Sequence, residues 1–344
     1  VDFETGSEPD VLFFFNGVDS NQFVEQGKVV SIDEIRQEYP DYASNMKDDM
    51  LGASPVDGKN YSVPVNGYWE GLFVNKDVLK KAGVEAPTAD TTWDEFMTMC
   101  ETIKKAGYTP IAASLQEIPH YWFEYTIFNF QDVDTHSTLP KSADDEYGKA
   151  WVNDIKDLYE KGYFPDNTLT ASDSETFELF TSDKAAFLID GSWKVGGIEE
   201  AVDDIDNYTV TYVPGKGNRK STDLIGGLSS GYYITKKCWD DPEKRAAAVD
   251  FIKYMTSDEM VSKFAGSSAT ALKNGATVDA DSMSSLANAG VELCAGATGI
   301  SPAVQDSLST AAKDPIFAGM ADIVQGNTKV AAAVDEALTI NSGE

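Results

Sequence analysis

Short apolar runs alternate with capped, amphipathic segments along most of this chain, and this alternation is the feature that most limits its possible folds. PDVLFFF (residues 9–15) is a continuous apolar run, typical of a strand that is buried on both faces. Thr92 and Glu95 have capping-box spacing at the start of an amphipathic helix. Asp241 and Pro242 mark another helix start, as N-cap and first helical residue. The alternation predicts an α/β protein whose helices cover central sheets.

Further elements are predicted from the same patterns. A helix is expected over residues 76–82, with Asn75 as its N-cap and Gly83 as its C-terminal stop. The other expected elements are an amphipathic helix over 145–161, a buried strand at KAAFLID (184–190) and an alternating strand at YTVTYVP (208–214).

Composition and charge exclude several classes of protein. The 344 residues are enough for two lobes, each with a buried core. Acidic residues outnumber basic ones by 57 to 27, and the resulting net charge of -30 repels phosphate backbones, so we expect no nucleic-acid partner. No apolar run approaches the roughly 20 residues that span a bilayer.

The side chains that commonly carry chemistry are sparse. Three cysteines do not make a disulfide framework, and Cys100 is expected to be a buried free thiol. His120 and His136 are far apart and have no cysteine at metal spacing, so we expect no metal site. No Walker loop or dinucleotide glycine fingerprint appears, and we expect no cofactor. GLSSG (227–231) matches an esterase motif, but a predicted strand follows it where that motif requires a helix. Paired carboxylates leave a glycoside hydrolase open.

Aromatic residues follow glycine or proline at several predicted strand ends. In the stretch VPVNGYWEG, two aromatics and an acid lie between two glycines, where a strand is weakest. Flat aromatic faces beside amide and carboxylate groups suit a sugar, whose ring has an apolar face and a rim of hydroxyls. The aromatic residues concerned are Tyr68, Trp69, His120, Tyr121, Trp122, Trp193, Tyr232 and Tyr233.

Five stretches in a fixed order carry a family resemblance. They are GSEPDVLFFF, VPVNGYWEGLFVNKDVLKKAGVEAPTADTTWDEF, SLQEIPHYWF, FTSDKAAFLIDGSWKVGGI and GGLSSGYYITKKCWDDPEKRAAAVDFIKYMTSDE. Through them, nearly the whole chain resembles the extracellular solute-binding proteins of carbohydrate ABC importers, the family that includes maltose-binding protein.

The resemblance implies an α/β, two-lobe periplasmic-binding-protein-like fold of type II, with a ligand cleft between lobes that hinge strands join. The first lobe is expected to comprise residues 1–68 plus 230–296, and the second 69–229 plus 297–344. Family members begin with a strand, a helix and another strand before the segment that matches GSEPDVLFFF. We therefore expect the first lobe to be incomplete at its N-terminus.

The resemblance also implies a set of ligand-binding residues. Trp193 matches the stacking tryptophan of the family, and His120 and Trp122 match its aromatic segment. Tyr68 stands where maltodextrin binders have a carboxylate, which argues against maltose as the ligand. Glu70 is two residues further along and is expected to face the same side of the strand. The full expected set is Asn16, Asp19, Tyr68, Trp69, Glu70, His120, Trp122, Trp193, Ser230 and Tyr232.

The expected function is that of a bacterial, non-enzymatic protein that binds a carbohydrate, an oligosaccharide, by lobe closure and delivers it to ABC-transporter permease subunits. It is expected to act as a monomer outside the cell membrane, either as a cell-surface lipoprotein or in a periplasm. The alternatives are a binding protein for a polyamine or peptide, a glycoside hydrolase, and a signalling subunit of the same fold.

Overall fold

A computed structural model describes residues 2–16, 18–46, 51–53, 56–64, 67–117, 120–143, 152–228, 230–261 and 280–343. The strands are β1 (Val11–Phe15), β2 (Gly52–Ala53), β3 (Asn60–Pro64), β4 (Gly67–Asn75), β5 (Thr109–Ile111), β6 (Ala185–Gly191), β7 (Tyr208–Thr211), β8 (Asp223–Leu228), β9 (Ser230–Ile234) and β10 (Gly299–Ser301). The helices are α1 (Asp2–Thr5), α2 (Val18–Glu25), α3 (Ile32–Glu38), α4 (Lys76–Ala82), α5 (Trp93–Lys105), α6 (His120–Phe128), α7 (Asn153–Glu160), α8 (Asp173–Thr181), α9 (Val195–Ala201), α10 (Lys236–Trp239), α11 (Pro242–Met255), α12 (Ser285–Gly296), α13 (Thr310–Phe317), α14 (Met320–Val324) and α15 (Val330–Ser342).

The chain divides into two compact units. Unit 1 comprises Val1–Tyr68 and Gly227–Met283, and unit 2 comprises Trp69–Gly226 and Ser284–Glu344. Residues 284–296 therefore lie in unit 2, although the sequence analysis placed them in the first lobe. The reason is tertiary packing, because α12 packs against β7 and its Gly290 lies against the indole of Trp69.

Unit 1 is built on a four-stranded sheet with the order β1-β9-β3-β2. The prediction that β1 is buried on both faces is wrong. One face, which carries Phe14, packs towards Phe23 of α2. On the other face, Phe13 and Phe15 are 50% and 57% exposed. A continuous apolar run thus predicted the strand but not the exposure of its second face.

Unit 2 is built on a six-stranded sheet with the order β10-β8-β4-β6-β5, and β7 pairs with β4 outside that path. β4 runs without interruption through the glycine-flanked stretch that the sequence marked as weak. A Cβ on Gly71 would lie 2.8 Å from the Val210 side chain. The glycine therefore permits close packing of β4 against β7, and it does not break the strand.

The predicted helix ends are confirmed where the structure describes them. Asn75 caps α4, which ends at Gly83 in the left-handed conformation (φ 71°). Thr92 and Glu95 form the capping box of α5, and Asp241 caps α11. Of the amphipathic helix expected over 145–161, the structure has α7 (Asn153–Glu160) with Val152 at its N-cap, and residues 144–151, Trp151 among them, lie outside the described residues.

The predicted strands of unit 2 are confirmed as well. β6 is buried along its whole length, and β7 alternates between buried and half-buried positions. Ser229, in the esterase-like motif, lies outside the described residues, between β8 and β9. The three cysteines are free, and Cys100 is buried, as predicted. Among the described helices, none combines the length and the apolar composition that a membrane crossing requires.

Candidate functional site

The centre of the candidate site is the exposed indole of Trp193, in the 3-10 turn Ser192–Lys194 that follows β6. The indole is 47% exposed, which is unusual for so large an apolar side chain. It lies over Gly191, where a Cβ would be only 2.2 Å from the ring. The glycine before the turn therefore allows the ring to lie flat against the end of the strand.

A second aromatic ring lies beside Trp193. The centroids of the Tyr121 and Trp193 rings are 5.4 Å apart, with an interplanar angle of 47°. Burial, together with the charges of Asp190 and Glu70, raises the pKa of Tyr121 well above its usual range. Its hydroxyl thus stays protonated and can donate a hydrogen bond. We call the two rings of Tyr121 and Trp193 the aromatic platform.

Asp190 is a buried carboxyl group at the end of β6. Burial raises its pKa to about 7, although Lys194, the Gly191 N–H and a side-chain hydrogen bond with Trp193 act in the opposite direction. The Gly191 N–H donates to Oδ1 at 2.8 Å. Oδ2 has no hydrogen bond within 3.5 Å in the described part of the chain, and Lys194 Nζ lies 3.7 Å from it.

Glu70 is the second buried carboxyl group and is only 2% exposed. It pairs with Gly191 in the antiparallel β4–β6 ladder, and paired residues face the same side of a sheet. Its side chain therefore shares a face with the Trp193 ring that covers Gly191. Burial, followed by the charges of Glu124, Asp306 and Asp190, raises the pKa of Glu70 well above its usual range. Within the described residues, its Oε2 has no hydrogen-bond partner.

A buried network around Glu124 connects α6 to the 3-10 turn Val304–Ser307. Glu124 Oε2 contacts His136 Nε2 at 2.9 Å. The two carboxylate oxygens also accept the backbone N–H groups of Val304 and Gln305, at 2.9 and 2.8 Å. The turn carries Asp306, whose charge raises the pKa of both Glu70 and Tyr121. The network thus holds an exposed carboxylate beside the platform.

Lys194 is a cation next to these carboxyl groups. Its Nζ lies 2.7 Å from Asp173 Oδ2 and 3.7 Å from Asp190 Oδ2. It also lies 4.9 Å from the centroid of the Phe177 ring. Lys194 is therefore held mainly against α8, which carries both Asp173 and Phe177.

The structure brings Trp193 and Glu70 together but places two other expected residues in the core of unit 2. Trp69 and Trp122 are 2% and 1% exposed. Trp69 packs against Phe73, and Trp122 stacks on Phe96. Residues alternate between the faces of a strand, so Trp69 points away from the face that carries Glu70. Both indoles are therefore covered by the core of unit 2 and are not exposed to a ligand.

The expected residues of unit 1 are spread along β9 and its neighbours. Asn16 Oδ1 accepts hydrogen bonds from the hydroxyls of Ser62 and Tyr233. Tyr232 is buried between Phe13 and Phe251, with ring centroids 4.8 and 5.9 Å away.

The other four expected residues lie on described elements. Ser230 is buried on β9, and Tyr68 is half-buried on β4. Asp19 lies on α2 and His120 on α6, and the side chains of both are outside the described residues.

Sequence reasoning named Tyr121 among the aromatic residues that suit a sugar but left it out of the expected ligand-binding set, and it missed Asp190, Asp306 and the Glu124–His136 pair as contributors to the site. Asp190 stands directly before GSW, so a local signal existed for it. No local pattern joins Glu124 to His136 or to the turn around residue 306. No group of three or more acidic, histidine or cysteine side chains in the described ranges could hold a metal ion.

Comparison with known proteins defines the class. The model of the family described as "Bacterial extracellular solute-binding protein" matches residues 1–261, so the chain belongs to that family. Among curated relatives, the multiple sugar-binding protein of Streptococcus mutans is 25% identical over 239 residues, which are 65% of this chain and 53% of that protein. The sn-glycerol-3-phosphate-binding periplasmic protein UgpB of Rhizobium meliloti is 24% identical over 274 residues, or 76% and 61% of the two chains. The chain thus spans between about half and three fifths of the length of these relatives.

Solved structures show the fold. A chitin oligosaccharide binding protein superimposes with a TM-score of 0.86 at 23% identity, covering 99% of this chain and 85% of that one. The GacH receptor of Streptomyces glaucescens has a TM-score of 0.77 at 21% identity, with coverages of 100% and 86%. A raffinose complex of the solute-binding protein RafE has a TM-score of 0.75 at 18% identity, with coverages of 99% and 87%. The chain has the α/β, two-lobe, type II periplasmic-binding-protein fold.

Proposed function

We propose that this chain is the substrate-binding component of an ABC importer, and that it captures an oligosaccharide and delivers it to membrane permease subunits. Membership of the solute-binding family supports this proposal, as do the names of several similar proteins. It acts as a monomer on the outer side of the cell membrane, as a surface lipoprotein or in a periplasm. Eight of the ten side chains expected from sequence remain the proposed contacts, and Trp69 and Trp122 are left out because they are buried.

The observation that carries the proposal is the aromatic platform beside two buried carboxyl groups. The Trp193 and Tyr121 rings offer flat apolar surface, 5.4 Å apart between centroids. Glu70 Oε2 has no hydrogen-bond partner in the described chain, and Asp190 Oδ2 has Lys194 Nζ at 3.7 Å. A pyranose ring stacks its C–H face on an aromatic ring and donates its hydroxyl protons to acceptors of this kind.

The carboxyl groups argue against a phosphate ester as the ligand. One of the relatives is named for binding sn-glycerol-3-phosphate. In this chain, Asp190, Glu70 and Asp306 lie close enough to Tyr121 for their charges to raise its pKa. A phosphate brought to the platform would meet the charge of Asp306 and, above about pH 7, that of ionised Asp190. A polyamine is the second candidate, since it suits the acidic groups, although it has no ring to stack on the platform.

The protein is proposed to bind without catalysis. The rival is a glycoside hydrolase that uses Glu70 and Asp190 as its carboxyl pair. Incubation with each bound oligosaccharide, followed by product chromatography, separates the two. Intact sugar at one-to-one stoichiometry supports the binding protein, and steady release of shorter sugars overturns it.

The binding test is isothermal titration calorimetry of the chain with a panel of oligosaccharides, glycerol-3-phosphate and spermidine. We expect saturable binding of at least one oligosaccharide. Trp193→Ala should weaken it by about tenfold or more, since an aromatic contact contributes roughly 1 kcal/mol beyond its buried area. Tyr254→Ala is the matched control, because Tyr254 is an exposed aromatic residue on α11 in unit 1.

Two outcomes of that titration count against the proposal. If glycerol-3-phosphate or spermidine binds and no sugar does, the ligand is another solute and not a carbohydrate. If the Trp193→Ala and Tyr254→Ala variants bind the oligosaccharide with equal affinity, the aromatic platform is not part of the binding site.

A further inference from the structure

We propose that Lys194 is a positioning residue of the sugar site, which aligns the Trp193 ring for its ligand through the Asp190 carboxylate. The inference deepens the proposed carbohydrate function and rests on it. Lys194 acts on Asp190, Asp190 acts on the ring, and only the ring touches the sugar.

The first observation is that the ammonium group of Lys194 is fixed in place. Its Nζ lies 2.7 Å from Oδ2 of Asp173, the first residue of α8. It also lies 4.9 Å from the centroid of the Phe177 ring, one turn further along the same helix. The side chain is only 18% exposed, so its aliphatic part is largely covered. The positive charge is therefore held at one position.

The second observation is that this fixed cation lies beside the buried carboxyl group of Asp190. Lys194 Nζ is 3.7 Å from Asp190 Oδ2, and Asp190 is 0% exposed. A carboxylate in such a position is costly to ionise unless a cation lies near it. Burial raises the pKa of Asp190 to about 7, and the charge of Lys194 is the largest influence in the opposite direction. Lys194 therefore controls how much of this group is ionised at neutral pH.

The third observation is that the same carboxyl group binds the Trp193 side chain. A side-chain hydrogen bond joins the two, and the indole N–H is the donor in it. The Gly191 N–H donates to Asp190 Oδ1 at 2.8 Å, so the carboxyl group is itself held in place. Hydrogen bonds to an ionised acceptor are roughly twice as strong as those between neutral groups. Loss of the charge on Asp190 therefore loosens the Trp193 ring.

Four charged or titratable side chains face Asp190 from the elements packed around it. They are Lys194 of the turn that follows, Asp173 of α8, Tyr121 of α6 and Glu70 of β4. Burial raises the pKa of Tyr121 and of Glu70, which favours their neutral forms. Lys194 and Asp173 carry the charges that act on Asp190, in opposite directions. Removal of the lysine charge should raise the pKa of Asp190, and removal of the Asp173 charge should lower it.

The ionised form of Asp190 aligns the ring, so sugar affinity should rise with pH as this group loses its proton around pH 7. Apparent affinity falls in proportion to the fraction of competent protein. An opposite charge within about 4–6 Å lowers the pKa of a carboxyl group by roughly 1–3, so Lys194→Met should move the rise upward by about one pH unit. The variant should then bind about fivefold more weakly than the parent chain at pH 7, and about equally well at pH 9.

The first experiment observes the Trp193 ring without a ligand. The chain has six tryptophans, so labelling with 5-fluorotryptophan gives six fluorine NMR signals, and Trp193→Phe identifies that of Trp193. We expect this signal to titrate with a midpoint near pH 7, and Asp190→Asn to abolish the titration. Lys194→Met should raise the midpoint, Asp173→Asn should lower it, and Lys194→Arg should leave it unchanged. A Trp193 signal that does not titrate, or a midpoint that Lys194→Met leaves in place, overturns the inference.

The second experiment is calorimetry with the oligosaccharide that binds most tightly in the panel, at pH 7 and pH 9. Lys194→Met should lose affinity at pH 7 and regain it at pH 9. A loss that persists at pH 9 overturns the inference, because the lysine would then contact the sugar or support the fold directly. Lys81→Met is the matched control, since Lys81 forms an exposed ion pair with Asp183, which precedes β6 at the end opposite Asp190.

A second variant covers the case in which Lys194→Met does not fold. Asp173→Asn then decides, with Asp90→Asn, at an exposed aspartate elsewhere in unit 2, as its control. Equal midpoints for these two variants overturn the inference and leave the carbohydrate function standing. If no sugar of the panel binds, the carbohydrate function fails and this inference fails with it. The two failures can be told apart, because the fluorine signals test the link from Lys194 to the ring without a sugar.

Discussion

At the scale of single residues, Gly191 controls where the Trp193 ring can lie. Its backbone is extended, with φ of -108°, so an alanine is conformationally allowed there. A Cβ would nevertheless lie 2.2 Å from the indole, closer than any real contact. The glycine is therefore needed for space and not for its backbone freedom.

Gly191→Ala should displace the indole and lower sugar affinity by about tenfold, with a loss of stability of roughly 1–3 kcal/mol. Calorimetry and chemical denaturation measure the two effects. Gly196→Ala is the control, because nothing lies within 4 Å of a Cβ at that position in α9. An affinity that Gly191→Ala leaves unchanged would show that the position of the ring does not matter.

Asp190 provides a test of pH dependence. Its pKa is raised from 3.8 to about 7 in the folded protein. The folded state therefore holds this proton more tightly than the unfolded chain does. The contribution of Asp190 to stability is most favourable below about pH 4 and declines as the pH rises towards 7. Asp190→Asn removes this titration, so melting temperatures measured between pH 4 and 8 should decline less than in the parent chain. A profile identical to that of Asp90→Asn would contradict the shifted pKa.

Only part of the site could be predicted at this scale. Trp193 and Glu70 belong to short local patterns, so both could be proposed as site residues from the sequence. Asp306 reaches the platform only because its turn is fixed to α6 by Glu124. Such a contact depends on tertiary packing between segments about 180 residues apart, which spacing along the chain does not show.

At the scale of elements, helix ends were predictable and strand faces were less so. The caps of α4, α5 and α11 depend on side chains within four residues of each helix start, so they can be recognised locally. Whether a face of β1 is covered depends on what packs against it, and the exposed Phe13 and Phe15 were missed for that reason. The turn that carries Asp306 is the element on which the site depends most.

Glu124→Gln should loosen that turn. A glutamine side chain has one acceptor oxygen where Glu124 uses two, so a buried N–H loses its acceptor, at a cost of roughly 1–3 kcal/mol. Urea denaturation measures the loss. Glu101→Gln, at an exposed ion pair with Lys105, should change stability by less than about 0.5 kcal/mol. Equal stabilities for the two variants would show that the network does not hold the turn.

At the scale of the whole molecule, the order of motifs predicted the family and the fold class, and both are confirmed. The limits of the two units were harder to predict, since α12 belongs to unit 2 through its packing on β7. The net charge of -30 fits a protein that attracts cationic ligands and repels anions. Lobe closure around the ligand, which the family resemblance implies, stays a prediction.

The most direct test of the central claim is a crystal structure of the chain with the oligosaccharide that binds most tightly in the calorimetric panel. We predict a sugar ring stacked on Trp193 at about 4 Å, with polar groups directed at Glu70 and Asp190. A sugar bound elsewhere, with the Trp193 indole uncovered, would contradict the proposed site.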